Sequence, residues 1–134
     1  MSRPVAIVTG VGPGTGSAIT RRLDSAGYAV AMLARNRERL AAFEAEIAHA
    51  KAYPCDVTDE GQLDIVLAAV RHDLGTPAVL VHNAVGGAFG SFLDIDPKVL
   101  AANFQVNTMA LMHLARRLAP DMIQAGTGAI VVTG

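Results

Sequence analysis

Thr9-Gly10-Val11-Gly12-Pro13-Gly14-Thr15-Gly16 is the stretch that decides the fold. Four glycines within seven positions let the backbone take positive φ and come close to a ligand. Before it lies Val5-Ala6-Ile7-Val8, apolar without alternation, as in a strand buried on both faces. After it, residues 14–26 read as a helix, with Ile19 and Leu23 four apart on one face and Gly27 as the stop. A glycine-rich turn that opens a helix presents free N–H groups and the positive end of a dipole, which favour phosphate. Gly16 is expected to let that helix pack tightly on the sheet. No Gly-Lys-Ser/Thr follows, so the turn is not a P-loop. The competing reading is a flexible turn in an α/β domain that binds no nucleotide.

The alternation continues outward. Tyr28 to Ala34 is a second apolar run, and residues 36–49 form a charged helix with Leu40, Phe43 and Ile47 inward. Lys51 to Cys55 is a short strand. Thr58 is the expected N-cap of a third helix over 59–74 that buries Leu63, Val66, Leu67 and Val70. Val79-Leu80-Val81 is a fourth strand, followed by the loop Asn83-Ala84-Val85-Gly86-Gly87. Pro97 opens a helical region reaching about Gln124, in which Pro120 is expected to kink or end the helix. Residues 126–128 turn the chain into a fifth strand, Ile130-Val131-Val132.

Unbroken apolar strands alternating with helices predict the α/β class: a doubly wound parallel sheet, a Rossmann fold of strand order 3-2-1-4-5. Residues 1–134 form one such domain, with no internal repeat, low-complexity tract or linker. The fifth strand would then be an exposed apolar edge, which invites association. Either the chain is the N-terminal portion of a longer polypeptide or a partner covers the edge.

Composition excludes several classes. Eleven Lys and Arg against 12 Asp and Glu give a net charge of −1, unlike a nucleic-acid arm or a basic membrane patch. With 51% hydrophobic and 17% charged residues the chain is not of the disordered class, and 4% aromatics predict an aliphatic core. Cys55 is the sole cysteine, which fits a reducing compartment. No apolar run has the length of a membrane span, and Met1-Ser2-Arg3-Pro4 leads into the first strand without a cleavage site, so a cytoplasmic protein is expected. His49, His72, His82 and His113 show no metal-ligand spacing with Cys55 and read as ordinary surface or core residues, so no metal site is expected. Cys55 reads as inert packing, and Met109, Met112 and Met122 as core or interface. Arg116-Arg117 reads as a solvated helix end. The polar, glycine-containing loop from Gly86 to Asp96 would border a substrate but carries no diagnostic chemistry.

The spacing Thr-Gly-x-x-x-Gly-x-Gly at 9–16 resembles the cofactor loop of the short-chain dehydrogenase/reductase family. Asp56-Val57 is similar to the family's adenine-pocket Asp and the apolar residue after it. Asn83-Ala84 is similar to the middle of its Asn-Asn-Ala-Gly motif, and Asn107 falls where the family keeps an active-site Asn. The resemblance covers essentially the whole chain. It implies an oxidoreductase that moves a hydride between a nicotinamide cofactor and a small carbonyl or alcohol substrate, assembled as a homodimer or homotetramer. The cofactor would be held by Thr9, Gly10, Gly12, Gly14, Thr15, Gly16, Arg35, Asn36, Asp56, Val57, Asn83 and Ala84. Asn107 would hold the water of a proton relay, with Asn103 as the lesser alternative. Two departures stand out. The motif reads His82-Asn83-Ala84-Val85 here, with Gly86 and Gly87 supplying flexibility a step later. The family's Tyr-x-x-x-Lys pair is absent, since Tyr28 and Tyr53 are followed four residues on by Met32 and Val57, and its Ser would lie just past the fifth strand.

The second strand ends Leu33-Ala34-Arg35-Asn36 without the carboxylate that would accept the ribose hydroxyl of NAD. Arg35, 19 residues after Gly16, suits a 2′-phosphate, so NADP is favoured. Several residues keep a plainer alternative. Arg35, Arg37 and Arg39 would merely solvate the second helix. Asp56 would cap the third helix or its turn. Asn107 would be a structural bridge in an apolar helix. At the level of function, the alternative is a non-catalytic nucleotide-binding or regulatory module on the same scaffold.

Overall fold

The computed structural model describes residues 2–134. Five strands, β1 (Val5–Thr9), β2 (Ala29–Ala34), β3 (Ala50–Pro54), β4 (Pro77–His82) and β5 (Ala129–Val132), alternate with the helices α1 (Thr15–Ser25), α2 (Arg37–Glu46), α3 (Glu60–Asp73), α4 (Pro97–Phe104) and α5 (Ala110–Ala125). The strands form one sheet in the order β3-β2-β1-β4-β5, and every pair is parallel. The order reverses between β1 and β4, which opens a crevice at the strands' carboxyl ends.

The sheet is covered on both faces, which is why its central strands are apolar without alternation. Successive side chains of a strand point to opposite faces. Val5 and Ile7 of β1 join Leu63, Leu67 and Val70 of α3 and Leu114, Leu118 and Met122 of α5 in one core. Val8 joins Met32 of β2 and Leu40 and Phe43 of α2 in the other, against which Ile19 and Leu23 of α1 pack. The helix faces read from the sequence are the faces buried.

Local chemistry moves several boundaries. The N-cap of α3 is Asp59, whose carboxylate accepts from Gln62 N at 3.1 Å; Thr58 is instead drawn into a turn, donating its N–H and its hydroxyl to Asp56. Helix α2 ends at Glu46 because Ile47 is already extended, and β3 begins at Ala50. Strand β4 spans Pro77–His82, longer than its apolar centre.

The stretch from Pro97 is continuous but not uniform. Between α4 and α5, Gln105–Met109 form a π-turn. Pro120 neither ends nor bounds α5; it and Arg116, whose carbonyl it cannot serve, are both exposed. The helix stops at Gly126, left-handed at φ 72°, where Gly126 N and Thr127 N bond the carbonyls of Ile123 and Met122. Arg117 is no solvated end: it clamps α5 to α3 through Asp64 at 2.7 Å and Glu60 at 3.1 Å. β5 lies at the sheet edge with all four residues exposed. Among the described residues no helix is long and apolar enough to cross a membrane.

Candidate active site

The crevice is a cleft of about 470 Å³ bounded by the first glycine turn, the ends of β2 and β3, and the loop after β4. A second hollow of about 290 Å³ continues it over Gly12, Gly14, Thr15 and Gly16 to Asn83 and Val85. The glycines divide by role. At Gly10, φ is +67°, and a Cβ there would lie 2.6 Å from the backbone of Ala84 and Asn83. At Gly16 a Cβ would lie 2.5 Å from the Gly10 carbonyl oxygen and 2.7 Å from Val11 Cα, so the helix rests on the turn through bare backbone. At Gly12 a Cβ would meet only an Arg39 nitrogen at 3.9 Å, and at Gly14 nothing within 4 Å. Gly10 and Gly16 thus build the turn, while Gly12 and Gly14 leave its floor open.

α1 has no side-chain cap and no acid in its first turn, whereas α2, α3 and α4 are capped by Asn36, Asp59 and Asp96. Its first residues, Thr15 and Gly16, line the hollow, and such an uncapped helix start suits an anion. Thr9 lies behind the turn, fully buried. Its hydroxyl oxygen accepts from Asn83 N and Ala84 N, each at 3.0 Å, and pairs with His82 Nδ1 at 2.9 Å. The Thr9 side chain, expected among the ligand contacts, thus faces inward and acts on the cleft through the loops it pins. Asn83 adds a bond from Nδ2 to the Gly10 carbonyl and accepts from Thr133 Oγ1 at 2.7 Å. Ala84 takes part through its backbone, packed against Gly10.

Arg35 and Arg39 both line the cleft, and neither forms an ion pair among the described residues. Asn36 caps α2, accepting from Arg39 N at 2.9 Å, and so fixes the turn that presents both guanidinium groups. Arg39 was legible only as solvation, yet one signal was available: a cation in the first turn of a helix opposes the helix dipole unless an anion meets it. Asp56 closes the turn before α3 and also borders the cleft. Its Oδ1 receives Thr58 N at 3.0 Å and Thr58 Oγ1 at 2.7 Å, while the residue lines the cleft. Those hydrogen bonds, helped by Arg35, hold its carboxyl below the usual range against a smaller opposing effect of burial. Val57 is buried behind it. Cys55 lies in the wall, buried, with burial and the nearby Asp56 and Asp59 charges pushing its thiol up to about 11.

Asn107 sits in the π-turn. Its Oδ1 accepts from Gly86 N at 2.9 Å and its Nδ2 donates to the Gly86 carbonyl at 3.0 Å. It is a bridge to the loop after β4, and its amide keeps one lone pair and one N–H. Asn103, one turn earlier, packs its side chain against Gly86, where a Cβ would displace its Oδ1. His82, unremarkable by spacing, proves to be buried between Thr9 and the Val106 carbonyl, 3.0 Å from Nε2. No cluster of three or more metal-ligating side chains occurs among the described residues.

Comparison with known proteins agrees with this architecture. The 2,3-dihydro-2,3-dihydroxybenzoate dehydrogenase of Bacillus subtilis is 30% identical over 97% of this chain, which covers 51% of that protein. The chain spans about half the length of the curated relatives it matches. A solved xylitol dehydrogenase with bound NAD+ superposes with a TM-score of 0.91 at 33% identity, over 99% of this chain and 53% of that one. An actinorhodin polyketide ketoreductase with NADPH gives 0.92 at 29% identity, over 98% of this chain and 54% of that one. The short chain dehydrogenase model matches residues 4–134. The chain therefore belongs to the short-chain dehydrogenase family.

Proposed function

We propose that this chain supplies the cofactor-binding half of an oxidoreductase that uses NADP(H) and a small carbonyl or alcohol substrate. The observation that carries the cofactor choice is the end of β2, where Arg35 and Arg39 line the cleft without an ion-pair partner among the described residues and the strand end Leu33-Ala34-Arg35-Asn36 carries no carboxylate. A guanidinium pair there would receive a 2′-phosphate through charge-assisted bonds. The open floor at Gly12 and Gly14 and the uncapped start of α1 suit the pyrophosphate. Asp56, ionised and with Oδ2 outside its own turn, suits an adenine amino group beside Val57. The cofactor, when bound, supplies the hydride chemistry. Asn107, with its one free lone pair and one free N–H, would order a water near the loop after β4.

The dehydrogenase and reductase names of relatives weigh toward an enzyme over a regulatory module. The exposed β5 edge supports a further reading: additional chain pairs with it, carrying the Ser, Tyr and Lys that the family resemblance implies, within a homodimer or homotetramer. Calorimetry with 2′,5′-ADP and 5′-ADP tests the cofactor reading. Preference for the 2′-phosphate, reversed in Arg35→Asp, is expected. Equal affinity for both, or no heat with either, refutes it.

A further inference from the structure

His82 ends β4 with only 1% of its surface exposed, and both ring nitrogens are engaged. The bonding admits one proton arrangement. The Thr9 oxygen already accepts two backbone N–H groups, from Asn83 and Ala84. A hydroxyl has two lone pairs and one proton, so that proton goes to His82 Nδ1, which must be bare. At the other end the Val106 carbonyl can only accept, so Nε2 carries the hydrogen. The ring is therefore neutral and in the Nε2–H form. On the elements it bonds or pairs with, β1, the π-turn and β5, the facing residues Thr9, Val106, Asn107 and Val132 carry no ionisable side chain.

The two ends of the ring serve different walls of the cleft. Through Thr9 it holds Asn83 and Ala84, against which Gly10 is packed. Through Val106 it holds the π-turn, whose Asn107 grips Gly86. We infer that neutral His82 is a positioning residue that locks the glycine turn to the Asn107 turn, and that a single proton on Nδ1 opens this lock. With Nδ1 protonated, two hydrogens meet at 2.9 Å. Thr9 then has to offer a lone pair to the ring and release Asn83 N or Ala84 N. Burial already holds the imidazole below its ordinary value, with the backbone contacts at Val106 and Asn107 opposing more weakly. The sign follows: the folded state favours the neutral ring, so stability is full above a pH of about 6.5 and declines as pH falls toward the lowered folded value.

The effect on cofactor affinity rests on the nucleotide-binding reading; the lock itself does not. The test follows the His82 ring nitrogens of the full 15N-labelled chain by long-range NMR correlation from pH 8 to 5, together with its backbone amides. NADPH affinity is measured over the same range. Expected are the Nε2–H form at pH 8 and shifts of the Asn83, Ala84 and Gly86 amides with the midpoint of His82. NADPH affinity should fall about tenfold across that midpoint. His82→Asn places a polar atom where Nδ1 stands but cannot reach Val106; His82→Gln reaches Val106 but vacates the Nδ1 position. At pH 7.5 His82→Asn should therefore leave the Asn83 and Ala84 amides near their wild-type shifts and move Gly86, and His82→Gln should do the reverse. A ring found as Nδ1–H at pH 8, amides that ignore its titration, or variants that shift the same amides alike would overturn the inference. NADPH binding that stays flat across the midpoint also overturns the lock's role. No NADPH binding at any pH, with the amides still responding, overturns the nucleotide reading and leaves the lock standing.

Discussion

Replacing Gly10 with alanine asks for two things the structure refuses. The residue holds φ at +67°, a conformation that costs an L-residue about 1–2 kcal/mol. The new methyl would also lie 2.6 Å from backbone atoms of Ala84 and Asn83, which cannot swing aside as a flexible side chain would. Overpacking of this kind costs about 1–3 kcal/mol. Together these give a loss of about 2–5 kcal/mol, a large share of the roughly 5–15 kcal/mol that holds a domain together. At this chain length the melting temperature should fall by roughly 10–20 °C. Gly12→Ala is the matched control. Its φ lies outside the left-handed region and its methyl meets only an Arg39 nitrogen at 3.9 Å, so stability should stay within about 1 kcal/mol. Yet that methyl enters the cleft floor, so NADPH affinity should fall tenfold or more. Urea unfolding followed by circular dichroism, with calorimetric titration of NADPH, reads both quantities. A Gly10→Ala protein as stable as the parent, or a Gly12→Ala protein equally destabilised, would refute the division of the turn into builders and floor.

Arg39→Ala should weaken 2′,5′-ADP binding about tenfold or more while changing 5′-ADP binding little, since a charge-assisted bond is worth about 1.5–3 kcal/mol; calorimetry with both ligands decides. Asn107→Ala leaves the Gly86 N–H and carbonyl without their partner, and should lower stability by about 1–3 kcal/mol in urea, with faster amide exchange at Gly86. Native Cys55 should react with a disulfide reagent at pH 8 many times more slowly than the urea-unfolded chain, because its thiol is buried and titrates near 11. The same raised value means that stability should be retained below a pH of about 9 and lost as pH rises toward 11, visible as alkaline unfolding that Cys55→Ala moderates.

Much of this molecule was legible because its elements are encoded by periodicity. Val5 to Val8 had to be covered on both sides, and the stripes Leu40-Phe43 and Leu63-Val66-Leu67-Val70 named the covering helices. The glycine turn was legible as an open, closely packed strand-to-helix connection from its place between strand and helix. What sequence could not resolve was the choice between neighbouring donors and acceptors. Thr58 and Asp59 both fit a helix start, and only the demand of Asp56 for Thr58 left the cap to Asp59. The inward turn of Thr9 and the burial of His82 depend on contacts across more than seventy residues of chain, which local pattern does not carry. Asp56 and Asn107 were each offered as one of two roles. The geometry gives Asp56 a turn and a cleft wall together, and it gives Asn107 a bridge. Of the two outcomes offered for Pro120, the helix end is not found, because an exposed proline removes one helical hydrogen bond without opening the core.

The π-turn at Gln105–Met109 carries one residue more than an ordinary helical turn would. Each helical residue advances the direction of its successors by about 100°. Excising a single amino acid here would therefore spin Ala110, Leu114, Leu118 and Met122 about a quarter turn or more away from the sheet while Asn107 stayed beside Gly86. The loosened winding works as a phase adjuster, allowing one rod to aim an amide at the loop after β4 and a greasy stripe at the interior. A sequence change there that alters length will be far less tolerable than one that alters only chemistry.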